Sequence, residues 1–94
     1  MSARESFRVP FVQTARERHA RLAELVGRGE STELRAIASE LHCLSGEASM
    51  LEFGAVAEIA RVAEDAARGG DRTEVERLVG ELGRAIEVVA AGGG

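Results

Sequence analysis

Ninety-four residues are enough for one domain, near the small end of what folds alone. The net charge of −4 comes with no basic block, and Phe7, Phe11 and Phe53 are the only aromatic residues, which argues against nucleic acid as a partner. All twelve cationic side chains are arginine, and the apolar residues are Leu, Val, Ile and many Ala, a composition suited to closely packed helices.

The first helical segment follows Pro10, which can occupy a first turn, and carries the stripe Phe11, Ala15, Leu22, Leu25 and Val26 until Gly27 and Gly29 end it. Ser31 or Thr32 can cap the second, whose stripe is Leu34, Ile37, Ala38, Leu41, Leu44, Ala48 and Leu51. A break falls around Glu52, Phe53 and Gly54. The third segment carries Ala55, Val56, Ile59, Ala60, Ala63, Ala66 and Ala67, and Gly69-Gly70 stops it. The fourth begins after Asp71, where Thr73 and Glu76 have capping-box spacing and Asp71 is a rival cap. Its stripe is Val75, Leu78, Val79, Leu82, Ala85, Ile86 and Val89; Gly80 and Gly83 fall off it, and each is expected only to weaken the helix by about 1 kcal/mol relative to Ala.

No segment alternates with period two. Short connections between amphipathic helices favour antiparallel neighbours, so the expected fold is all-α, an antiparallel up-down four-helix bundle over residues 1–91, with a flexible glycine tail at 92–94. The start of the chain lacks the apolar run of a signal peptide and no stretch is long enough to span a membrane, so a cytoplasmic monomer is expected.

One residue stands apart. Projected at 100° per residue, His42 falls about 120° from the centre of the second apolar stripe, on the solvent side. Around it lie only small residues, Ala38, Ser39, Ser45, Gly46 and Ser49. Gly46 costs a helix about 1 kcal/mol and contributes no packing, and close approach of a second backbone is one reason to keep it. Two readings stay open at this point: a reactive imidazole that enters another protein's active site, or a surface histidine whose neighbours are small by chance.

The remaining reactive residues read more plainly. His19 sits beside the first apolar stripe and is expected to pack at the boundary of the core. Cys43 is the only cysteine, projects away from the core and has no visible activating base. Zinc held by His42 and Cys43 fails on direction, because adjacent helical residues diverge by about 100°, and no metal is expected. Arg16, Glu17, Arg21 and Glu24 form a mixed-charge, solvated face on the first helix.

The stretch Ala38-Ser39-Glu40-Leu41-His42-Cys43-Leu44-Ser45-Gly46, continuing through Glu47-Ala48-Ser49-Met50-Leu51-Glu52-Phe53, resembles the histidine phosphotransfer (HPt) motif: a histidine, a hydrophobic residue two later, often Lys three later, then Gly. It is most similar to the amino-terminal phosphotransfer module of chemotaxis-type histidine kinases, with an aromatic near the helix–helix turn and an acidic residue on the next helix. Glu64, twenty-two residues after His42, matches that acidic position. Two residues depart from the pattern: Ser45 stands where the family usually has Lys, and Glu52 where the chemotaxis-type modules often place Gly. Arg61, one turn before Glu64, is a candidate source of the missing positive charge.

The resemblance implies a phosphocarrier rather than a true enzyme. His42 would be the phosphoacceptor and Glu64 the group that orients its ring, with Ser39, Ser45, Gly46, Ser49 and Arg61 contacting the partner or the phosphoryl group. The implied partners are a histidine kinase and a response-regulator receiver domain, which brings its own Mg²⁺; no cofactor is expected on this chain, which has no nucleotide-binding loop. The alternatives are a docking module of the same shape without the chemistry, of which Ser45 is the warning sign, and an unrelated helical adaptor that self-associates.

Overall fold

Four amphipathic segments become four α-helices: α1 (Ala3–Arg28), α2 (Glu33–Met50), α3 (Gly54–Arg68) and α4 (Arg72–Ala90). The structure is a computed structural model that describes residues 3–30 and 32–93, with side chains from Glu5 onward. Each helix packs against two others, α2 between α1 and α3, and α4 between α3 and α1. This closes an elongated bundle of 43 × 18 × 17 Å. Neighbours run antiparallel: Arg8 near the start of α1 reaches Val89 at the end of α4, while Arg72 at the start of α4 reaches Glu30 beyond the end of α1.

The core follows the apolar stripes. Leu22, Ile37, Leu41, Leu44, Leu82 and Ile86 fill it, α3 contributes the small residues Ala60, Ala63 and Ala67, and no polar side chain is buried among the described residues. Phe53 is fully buried and stacks on Phe11 with ring centroids 4.7 Å apart, joining the α2–α3 turn to α1. Interhelical arginines tie the outside. Arg18 of α1 donates to both Glu40 and Glu47 of α2, at 3.1 and 2.8 Å. Arg16 makes a two-pronged bond to Glu87 of α4, at 2.9 and 2.6 Å.

Two element ends differ from their sequence reading, and a third picks between its alternatives. Helix α1 begins seven residues before Pro10, which lies inside it. Proline removes one helical N–H, but this early stretch is held from outside the apolar stripe. The Arg8 guanidinium donates to the carbonyls of Val89 and Gly93, both at 3.0 Å, and rides 5.8 Å over the Phe53 ring. At the other end of the chain, Gly92 and Gly93 close the end of α4, their N–H groups donating to Val89 and Val88 with Gly92 at φ +95°, while Gly94 of the expected tail lies outside the described residues. Asp71, not Thr73, caps α4, its carboxylate accepting the Glu74 N–H at 3.2 Å. For α2, Thr32 occupies the cap position without a side-chain bond, and Ser31 lies outside the described residues.

Helices α2, α3 and α4 end in the same way. In each, the second residue after the cap returns its N–H to a carbonyl five residues back: Phe53 to Ala48, Asp71 to Ala66, Gly93 to Val88. The motif needs a left-handed residue just before that donor. Gly70 and Gly92 supply it at φ +79° and +95°, but at the α2 end the residue is Glu52, at φ +63°. A residue with a Cβ costs roughly 1–2 kcal/mol there.

Gly83 also has a reason the apolar stripe does not show. The His19 ring crosses from α1 so that Nε2 lies 2.8 Å from the Val79 carbonyl. A Cβ on Gly83 would sit 2.8 Å from that same nitrogen. The glycine makes room for an interhelical hydrogen bond.

Two stability predictions follow from these backbone positions. Glu52→Gly raises stability by about 1 kcal/mol, read as a rise of roughly 4–8 °C in Tm. Gly83→Ala fails to give the usual gain of about 1 kcal/mol in the native sequence, but gives it in a His19→Ala background; a urea-denaturation double-mutant cycle reads the difference.

Candidate functional site

Helix α2 presents three faces. Leu41, Leu44 and Ala48 point into the core, Glu40 and Glu47 meet Arg18 of α1, and His42, Ser39, Gly46 and Ser49 are exposed. The His42 side chain is 73 % exposed. A Cβ on Gly46 would meet nothing within 4 Å. Nothing inside the chain therefore requires glycine there, in contrast to Gly83, and its effect is to leave the surface beside the imidazole low.

The α2–α3 hairpin brings Glu64 to His42. His42 Nδ1 lies 3.3 Å from each oxygen of the Glu64 carboxylate. Unlike His42, Glu64 is sheltered, with 12 % of its side chain exposed. Burial alone would raise its pKa, but hydrogen bonds from Arg68 and His42 outweigh this and hold the carboxyl below the ordinary glutamate value. An ionised carboxylate only accepts hydrogen bonds. The ring nitrogen that faces it therefore carries the proton, and a neutral ring then has its lone pair on Nε2. The arrangement is a nucleophile with a defined tautomer, on a convex surface.

The other candidates are placed as follows. Ser45 turns away from the imidazole: its hydroxyl donates to the Ala57 carbonyl on α3 at 3.4 Å. Arg61 is engaged along its own helix, with Glu58 at 2.7 Å and Asp65 at 3.3 Å. The cation joined to the His42–Glu64 pair is Arg68, whose Nε and second guanidinium nitrogen lie 2.9 and 2.8 Å from Glu64 Oε2. Arg68 was not singled out from the sequence; its spacing four residues after Glu64 on one helix makes it a candidate partner but does not choose it over Arg61. Cys43 is exposed and unpaired. Among the described residues no group of His, Cys, Asp and Glu could hold a metal ion, and no helix is long and apolar enough to cross a membrane.

Compared with known families, residues 7–92 match the model of the Hpt domain. No curated protein and no solved structure gives a match.

Gly46 allows stability and access to be separated. Gly46→Ala raises stability by about 1 kcal/mol and leaves the His42 ring resonances in NMR spectra where they are, while slowing reactions in which a protein partner must reach His42.

Proposed function

Since the chain belongs to the Hpt domain family, whose members serve phosphotransfer in phosphorelays, we propose that His42 carries the phosphoryl group. The observation that carries this reading is the exposed imidazole with Nδ1 against the Glu64 carboxylate. The Nε2 lone pair attacks the phosphorus of a phosphoryl donor. An N–P bond forms as the donor's P–O bond breaks and its oxygen leaves with the electron pair. Positive charge that builds on the ring is stabilised at Nδ1–H by Glu64. In the onward step an aspartate oxygen of a receiver domain attacks the same phosphorus, the N–P bond breaks, and Nε2 recovers its lone pair. Mg²⁺ held by the receiver neutralises charge on the transferring oxygens.

Hpt domains interact with two-component signalling proteins, and the specific partners proposed are a histidine kinase and its receiver, met by a monomeric cytoplasmic module. The type proposed is that of chemotaxis-type kinases. Phe53 at the α2–α3 turn and Glu64 opposite His42 support it. This chain is a carrier and takes its phosphoryl group from a separate catalytic site. Ser39, Gly46 and Ser49 form the low surface on which the partner rests.

A second reading, docking without transfer, is favoured by one observation. The position three residues after His42 holds a serine that bonds the Ala57 carbonyl instead of a cation that faces the phosphoryl group. Incubation with a phosphorylated receiver or a histidine kinase and ATP, followed by intact-mass spectrometry, separates the two. The carrier reading expects an acid-labile phosphate on the native protein and none on His42→Gln. No phosphate on either, with binding retained, establishes the docking module.

A further inference from the structure

Arg68 lies on α3 one turn beyond Glu64, and two of its guanidinium nitrogens converge on Glu64 Oε2, at 2.8 and 2.9 Å. A bond of this spacing on an exposed helix is usually a surface ion pair of small worth. Arg61 on the same helix gives the comparison: its partners Glu58 and Asp65 are 63 % and 67 % exposed and touch nothing catalytic. Glu64 is the sheltered exception, and it spends its other hydrogen bond on His42. We propose that Arg68 is a positioning residue for His42, which fixes Glu64 as an ionised, correctly turned carboxylate and so keeps the imidazole proton on Nδ1 and the lone pair on Nε2. The structural half of this inference stands on geometry alone; its consequence for transfer rests on the carrier reading above.

The physical argument turns on what Glu64 does without Arg68. A sheltered carboxylate left with a neutral imidazole as its main partner is poorly compensated. Burial then pushes its pKa upward, toward the protonated acid, opposed only by His42. A carboxylic acid carries an O–H, which donates to Nδ1 rather than accepting from it. That moves the ring proton to Nε2 and removes the lone pair from the exposed nitrogen. Arg68 blocks this exchange from a distance, since it bonds the carboxylate and not the ring. It also sits in the last turn of α3, where a cation is favoured by the helix dipole. Positive charge missing at Ser45 thus enters the site through Glu64, on the opposite side of the ring from the nitrogen that reacts.

The test uses Arg68→Gln and Arg68→Lys in the full chain, with helicity checked by circular dichroism. Heteronuclear NMR of the His42 ring reads the tautomer, and phosphorylation rate reads the chemistry. The expected result is a ring with Nδ1–H in the native protein, and a shift toward Nε2–H in Arg68→Gln. The rate falls about 10-fold, the scale for partners that orient a functional histidine, and Arg68→Lys recovers both readouts in large part. A native ring spectrum in Arg68→Gln overturns the proposal, whether the rate is unchanged (a surface ion pair only) or reduced (direct contact with the partner or phosphoryl group). If the native protein takes no phosphate but its ring tautomer shifts in Arg68→Gln, the carrier reading fails and the positioning role stands.

Discussion

The register of the α2–α3 hairpin is the constraint on which the site depends. His42 stands eleven positions before Phe53 and Glu64 eleven after it, so in an antiparallel helix pair the two lie at one height, about 16 Å from the turn. A second link between the two helices lies nearer the turn, where the Ser45 hydroxyl donates to the Ala57 carbonyl. Phe53 sets the zero of that scale. Its N–H closes the end of α2 on the Ala48 carbonyl, its carbonyl accepts from Ala57 in the first turn of α3, and its ring is locked into the core against Phe11. One residue more or less in this turn would rotate α3 by about 100° and take the carboxylate off the imidazole. The strained Glu52 sits beside the element that can least tolerate adjustment.

Small side chains let the two helices come together, and arginines hold what small side chains leave loose. The buried face of α3 is Val56, Ala60, Ala63 and Ala67, which brings backbones close but buries little area per residue, and hydrophobic stabilisation scales with that area. The interhelical bonds of Arg8, Arg16, Arg18 and Arg72 span joints that the core alone fixes weakly: the two ends of the bundle and the outer seams of α1. Arginine suits this because one planar fork serves two acceptors. Arg18 holds two carboxylates about two helical turns apart, and Arg8 two carbonyls. Exposed pairs along one helix, such as Arg77 with Glu74 and Glu81, contribute little by comparison.

The bundle and its helix boundaries, apart from the start of α1, were legible because they rest on periodicity; the placing of Glu64 opposite His42 came from the resemblance, through a motif with fixed spacing. What was not legible depends on one side chain reaching another helix. Pro10 marked a helix start only on local grounds; the turns before it are held by Arg8 bonding to carbonyls at the far end of the chain. Gly83 looked like a defect because the reason for it is His19, sixty-four positions away. Arg61 and Arg68 are both spaced to meet the acidic residues of α3, and spacing alone does not say which acid each chooses. The choice is made by Glu64, the one whose shelter leaves an anion in need of a partner.

Two glycines in mid-helix sharpen the functional reading. Gly83 is answered from within, by a ring that fills the space where a Cβ would stand. Gly46 is answered by nothing in the chain, since open space surrounds it. Under the proposed function, the roughly 1 kcal/mol given up at Gly46, one turn from the exposed imidazole, leaves room for a partner's surface. The same division runs through the chemistry. Glu64 and Arg68 place charge on the Nδ1 side of the ring, while the nitrogen proposed to react is the other one, Nε2. Such a site cannot exclude water or assemble a transition state by itself. On the proposed carrier reading, it gains both from a partner whose active site closes over His42.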